Sequence, residues 1–405
     1  ELSGPYHVII KAQGKPALTL SGERKQLADI ETIVSGDTLI VRPVRREGFH
    51  FNFGRKRESA TIQITAAMLA SLKMNGSGDV DLEQVVGDLF TVNADGPGEL
   101  RASGAARELV VDSRGSGNVD LHQFKATNVK LAMSGPGDVT VSGATGELSA
   151  EMSGSGDLHA DALRLSKLSA RLRGPGNATL SGSSRELRAE VYGSGDFDAC
   201  SLSVDSARTM QRGPGNACVA GNIRQFDAEV HGSGDLDASG LQSASARIAL
   251  TGPGTAKLAG STVTLNAEVS GSGDLDAAAL TARTATVRSR GPGNVRLAGI
   301  TDTLDAEMRG SGELSAVLAA RRLLLKMSGP GDARIDGAVD MVSAQLTGSG
   351  SLDGHALTAG RADVVVRGPG SAVVKVSGST ETKTAASNRA RAMTVDRSGA
   401  RIAGE

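Results

Sequence analysis

Along residues 76–376, apolar and polar side chains alternate in short runs that glycine interrupts at fixed intervals. Between Gly252 and Ser270 the apolar positions fall at Ala256 and Leu258, then at Leu265, Ala267 and Val269. That is the two-residue period of strands with one buried face, and no helical period accompanies it. Gly-Ser-Gly opens at Gly76, Gly115, Gly154, Gly193, Gly232, Gly271, Gly310 and Gly348, and Gly-Pro-Gly at Gly96, Gly135, Gly174, Gly213, Gly252, Gly291, Gly329 and Gly368. The two forms alternate strictly, in steps of 20 and then 19 residues, with a single one-residue deletion near Gly329. A unit of about 20 residues with two short strands cannot bury its apolar face alone, so it must stack on its neighbours. The pattern predicts an all-β fold: a single-stranded parallel β-helix, one coil per unit, right-handed by the preference of parallel crossovers.

Two regions escape the repeat. Residues 1–75 carry irregular strand signals at 6–10, 17–20, 37–41 and 60–64, with one or two helical turns between Glu23 and Ile30. This region reads as an N-terminal β cap, since a solenoid needs an atypical unit over its exposed end. Tyr6, Phe49, Phe51 and Phe53 supply four of the nine aromatics, and Arg45, Arg46, Arg55, Lys56 and Arg57 surround the phenylalanines, so the same region is also a candidate contact surface. After Val376, residues 377–405 begin as a Ser/Thr/Ala-rich linker and end in a tail where Met393, Val395 and Ile402 suggest one weak strand. That strand either frays or adds to an open edge, its own or a neighbour's.

Composition narrows the function. Aromatics are 2% of 405 residues, Trp is absent and Gly numbers 53, which suits a narrow coil filled by Ala, Val and Leu better than the core of an enzyme. Net charge is −1, so nothing in the balance attracts nucleic acid. No apolar run is long enough for a membrane span. The chain begins at Glu1 without Met, which predicts an exported protein whose signal peptide has been removed.

Ser3-Gly4-Pro5-Tyr6-His7-Val8-Ile9-Ile10, Leu18 to Gly22, Leu27 to Thr32 and Gly36 to Val41, followed by the Gly-Ser-Gly-Asp coils, resemble the head GIN domain family of auto-transporter adhesins over nearly the whole chain. The resemblance implies an exported bacterial protein with a β-solenoid fold, and carries no catalytic residue across.

Within the coils, the residue after each Gly-x-Gly forms a polar file that includes Asp79, Asp157, Asn177, Asp196, Asn216, Asp235, Asp274 and Asn294. Asp and Asn accept from backbone N–H groups two residues on and serve tight turns. The competing reading is calcium, but from Asp157 to Asn294 every second position is neutral, which dilutes the charge that a calcium file would need. No metal or cofactor is expected. Two residues further along, acid on Ser coils faces base on Pro coils, as in Asp237, Lys257, Asp276 and Arg296; Glu268, Arg288, Glu307 and Lys326 repeat the device before the next corner. A slip by one coil would oppose like charges, so the alternation fixes register. Six scattered histidines form no metal spacing, and no catalytic grouping is apparent. Phe90, Phe124, Tyr192, Phe197 and Phe226 read as core fillers. Cys200 and Cys218 are offset by two residues on adjacent coils, a separation near 8 Å if the strands are straight, so no intrachain bridge is expected.

These features predict an extracellular structural or adhesive rod that self-assembles end to end into fibres of a cell surface or biofilm matrix. The N-terminal aromatic and basic residues would meet the last coil, with Val374 and Val376, and the tail, with Met393 and Val395. The alternatives are a monomeric cell-surface adhesin and a polysaccharide-binding module.

Overall fold

Strands with one buried face need a neighbour on each edge, and here the neighbour is the next turn of the same chain. The structure, a computed structural model, describes residues 1–44, 60–377 and 400–403. Its parallel strands stack as a β-solenoid of about 16 turns, each of roughly 19 residues, as the glycine spacing predicts. The chain forms two compact units, Glu1–Glu186 with Gly193–Leu202 and Leu187–Tyr192 with Ser203–Glu405.

In the first unit the stack is founded on the strand His7–Lys11. It pairs in parallel with Thr61–Thr65 on one edge and with Val80–Ala94, the first regular coil, on the other. Thr61–Thr65 in turn takes Ala17–Ser21 as an antiparallel partner. The helix expected between Glu23 and Ile30 is the single turn Arg24–Leu27, started by a hydrogen bond from the Glu23 N–H to the Gln26 side chain. The end of that stretch belongs instead to a hairpin, in which Ile30–Ser35 pairs with Thr38–Pro43 across Gly36-Asp37. Gly36 has φ +58, as such a two-residue turn demands. Above the foundation the coils Val80–Ala94, Leu100–Ser113 and Val119–Met133 hold Asp81 beside Arg101 and Arg101 beside Asp120. Regularity lapses once, where Gly143 with φ +73 splits the next coil into Val139–Ser142 and Glu147–Met152.

The second unit repeats the scheme. Leu236, Ala256, Leu275, Val295, Leu314, Ala333 and Leu352 pair coil to coil, each opposite the next. At its last coil, Ser371–Val376 lies parallel to the coil before, while Ala400–Ala403 pairs antiparallel with Ser371–Val374. Of the outcomes expected for the tail, it is the chain's own last edge that is covered, along Ser371–Val374.

Burial corrects the count of two strands per coil. In the coil from Gly232 the buried positions are Leu236 and Ala238, then Leu241 and Ser243, then Ala246, Ile248 and Leu250. The alternation slips phase after Ala238 and again after Ser243, and the register to the next coil shifts at the first slip. Each slip turns the chain, so a coil has three faces around one narrow core. The first of these corners is where Pro coils place a second glycine: Gly182 and Gly260 have φ of +121 and +126, a conformation that L side chains rarely adopt.

The core holds mostly Ala, Val and Leu, with Phe90 stacked on Phe124 at 5.5 Å between ring centres. Phe197 and Phe226 are buried fillers as expected. Tyr192 is not: it sits one residue before a corner glycine, points outward and is 36% exposed, hydrogen-bonded to Glu190 and covered by the Arg212 guanidinium.

Candidate functional site

Every outward feature of the coils is set by the Gly-x-Gly corner. The N–H of its second glycine donates to the first glycine's carbonyl one coil back, as from Gly98 to Gly76 at 3.2 Å and from Gly254 to Gly232 at 3.2 Å. This brings the backbones so close that a Cβ on Gly115 or Gly117 would coincide with the carbonyl oxygen of Gly96 or Gly98. Among the described residues, the middle position donates no backbone hydrogen bond between coils, which is why proline, lacking an N–H, alternates there with serine.

The polar file that follows does not make the turn expected of it. Each Asp or Asn oxygen accepts instead from the N–H of the equivalent residue one coil on: Asp79 from Glu99 (3.1 Å), Asp157 from Asn177 (2.7 Å), Asn177 from Asp196 (2.9 Å), Asn216 from Asp235 (2.9 Å), Asp235 from Thr255 (2.8 Å), Asp274 from Asn294 (2.7 Å) and Asn294 from Glu313 (3.0 Å). The file ties coils together where the glycines provide no side chain. The bond from an N–H two residues on is accepted by the next acid along, as by Asp120 from His122 (2.9 Å) and by Asp198 from Cys200 (3.0 Å).

The acid–base files stand in the predicted register, with Asp237 opposite Lys257, Lys257 opposite Asp276 and Asp276 opposite Arg296. Ion pairs form along them, among them Arg288–Glu307 at 2.9 Å and Arg296–Asp276 at 3.5 Å. Hydrogen bonds from Arg309 hold the Glu307 carboxyl below the usual carboxylate range, and a hydrogen bond from Lys130 does the same for Glu108. A hydrogen bond from His355 likewise lowers Asp353. On the first face of the coils from Gly76, Gly96 and Gly115 the files border an open groove of about 360 Å³, where Asp81, Glu83, Arg101, Asp120 and His122 converge.

The residues proposed for assembly fare differently. Tyr6 is not on the surface. It is buried, and its hydroxyl lies 3.4 Å from the Asp29 carbonyl; burial, then the Asp29 charge, raises its pKa. Gly78 donates to Gly4 as each second glycine does to the corner before it, so Gly4-Pro5-Tyr6 is itself a corner with Tyr6 in the second-glycine place. Among the described residues no coil lies beneath it, and the second-glycine place there takes a side chain. Its signal was present in Gly4-Pro5 but was hidden by the third residue. Val374 and Val376 are also buried, facing the core of the last coil. Arg45, Arg46, Phe49, Phe51, Phe53, Met393 and Val395 lie outside the described residues.

Cys200 and Cys218 are both disulfide-bonded, which corrects the expectation of unbridged cysteines. The straight-strand estimate failed because the alternation slips phase between Ala199 and Leu202, which turns the chain at Cys200, whose N–H donates to the Asp198 carboxylate. With both sulfurs oxidised, neither offers a thiolate to a metal.

Stacked coils with charged outer faces define a protein that presents surface. Overlapping stretches, 1–199, 143–223, 182–259, 221–317 and 298–392, match the family described as "Putative auto-transporter adhesin, head GIN domain", and the chain belongs to that family. With that membership and this fold it is adhesin-like, of the cell surface. No curated protein matches it in sequence. Solved structures it resembles include a "putative adhesin" from Bacteroides fragilis (19% identity, 63% of this chain and 89% of that one, TM-score 0.26). Another is a "putative lipid binding protein" from Parabacteroides distasonis (15% identity, 87% of this chain and 93% of that one, TM-score 0.24). No helix among the described residues is long and apolar enough to cross a membrane.

Proposed function

We propose that the chain is an exported, non-enzymatic adhesin that holds an extracellular polysaccharide against its charged outer faces. The observation that carries this reading is the groove over the first coils, where acidic, basic and imidazole side chains surround about 360 Å³ of open space. Successive coils set these groups ~4.8 Å apart, offering a sugar chain a repeated series of donors and acceptors. Aromatic platforms are absent from the groove, so hydrogen bonding carries the affinity. The disulfide state of the two cysteines supports an oxidising compartment. Co-sedimentation with insoluble polysaccharides tests the reading: the intact chain should pellet, and the Arg101→Ala, Asp120→Ala double variant should remain in solution. Equal sedimentation of both, or of neither, counts against it.

A second reading, self-association into fibres of a cell surface or biofilm matrix, is favoured by the antiparallel strand Ala400–Ala403. It covers Ser371–Val374, and the corresponding strand of a second copy can occupy the same edge. Phe49, Phe51, Phe53, Arg45 and Arg46 of one copy would then meet Met393 and Val395 of the next. Light scattering and electron microscopy on the intact chain and on a variant lacking 377–405 decide this. Filaments that depend on the tail support exchange, and a monomer at high concentration rules it out.

A further inference from the structure

The core of the first unit does not end at a closed face. Across its founding sheet runs an apolar row in which Ile10 pairs with Leu82 and with Ile64, and Ile64 with Leu18. Exposure rises outward along it, from 3% at Ile10 to 8% at Ile64 and 39% at Leu18. Over the row lies a cavity of about 550 Å³. Ile10 and Ile64 form its floor with Leu2 and Leu72, all buried. Leu18, Val34 and Met68 line it too, and the last two are 74% and 72% exposed. Three of the large apolar side chains that this chain leaves in solvent thus gather at one opening. The Ile30–Ser35 hairpin carries Val34 there and the segment after Thr65 carries Met68.

We propose that this cavity binds the alkyl chain of a monomeric single-chain amphiphile with an uncharged head group. The volume lies within the range of small-molecule sites, and gathered wet apolar surface marks such a site more often than isolated exposed residues do. The floor consists of side chains on the face of a sheet. It offers an occupant apolar contact, which suits a hydrocarbon chain. Polar groups are confined to the lining around it. Glu1 carries its own α-ammonium, which donates to the Leu39 carbonyl, and Asp37 is balanced by Lys73, so the lining has no net charge to hold a carboxylate or phosphate head.

The intact chain should enhance the fluorescence of N-phenyl-1-naphthylamine, an uncharged apolar probe, saturably and with one site per chain. A monoacylglycerol below its aggregation concentration should displace the probe. A fatty acid of equal chain length should do so about tenfold less well. Val34→Glu with Met68→Glu should weaken probe binding by about tenfold or more. Ala66→Trp, which fills the cavity without adding charge, should act likewise. Val317→Glu, at an exposed apolar residue of the second unit, should change nothing, and thermal melts should show each variant folded. Probe binding that is not saturable, that survives both cavity variants in folded protein, or that the fatty acid displaces better than the monoacylglycerol would overturn the proposal.

Discussion

Only a hydrogen atom fits at the first and third positions of a corner such as Gly115-Ser116-Gly117, because the carbonyl oxygen of the coil before stands about where a Cβ would be. Gly117→Ala should therefore cost about 3 kcal/mol or more, the class of loss reserved for strain and core damage. Ser116→Ala, next to it on the outside, should be within about 0.5 kcal/mol of the parent; chemical denaturation of the two variants makes the comparison. The glycines were plain in the sequence as a repeat, but their reason was not. Periodicity shows where the chain turns, and only the stacked backbones show that the turn is crowded from beneath. Tyr6 follows from the same crowding. With no coil beneath it among the described residues, the first corner admits an aromatic ring, and a search for Gly-x-Gly passes over it.

Within an element, polar side chains do two jobs that look alike in the sequence. The Asp/Asn file was legible as a file, yet its bonds run between coils, to the N–H of the equivalent residue one coil on. The acid–base alternation was fully legible, since parallel in-register stacking leaves each charge opposite the one a coil away. Glu307 shows what this does to stability. Its carboxyl is depressed, first by the hydrogen bond from Arg309. Its contribution is thus present above the ordinary carboxylate pKa and is lost as pH falls through that value towards the lower folded one. Melting temperature should drop between about pH 5 and pH 3, and Glu307→Gln should lower the neutral-pH value slightly while flattening that drop. An unchanged slope would mean that the exposed pair contributes nothing.

At the scale of the whole molecule, the class of fold was legible from period and composition. Three faces per coil replaced two strands, because single phase slips are hard to see among small residues such as Ala238 and Ser243. Of the N-terminal hairpin only the strand at 37–41 was legible, and the cavity beside it was not legible at all. It depends on how Val34 and Met68, distant in sequence, are brought over Leu18 and Ile64. The disulfide was excluded by arithmetic that assumed a straight strand, and the phase slip between Ala199 and Leu202 undid it. Reduction should lower stability by about 2–4 kcal/mol. Melts with and without a reductant should differ for the parent chain and coincide for Cys200→Ser with Cys218→Ser.

The alternation of Asp237, Lys257, Asp276 and Arg296 up one file has a consequence for how such a chain can change length. Excising residues 252–290 removes one Pro coil and one Ser coil, so the coil from Gly232 meets the coil from Gly291 with Asp237 facing Arg296. Excising 252–270 alone joins two Ser coils and sets Asp237 against Asp276. The first shortened chain should melt close to the parent and the second well below it, so growth and loss in this molecule proceed by even numbers of coils.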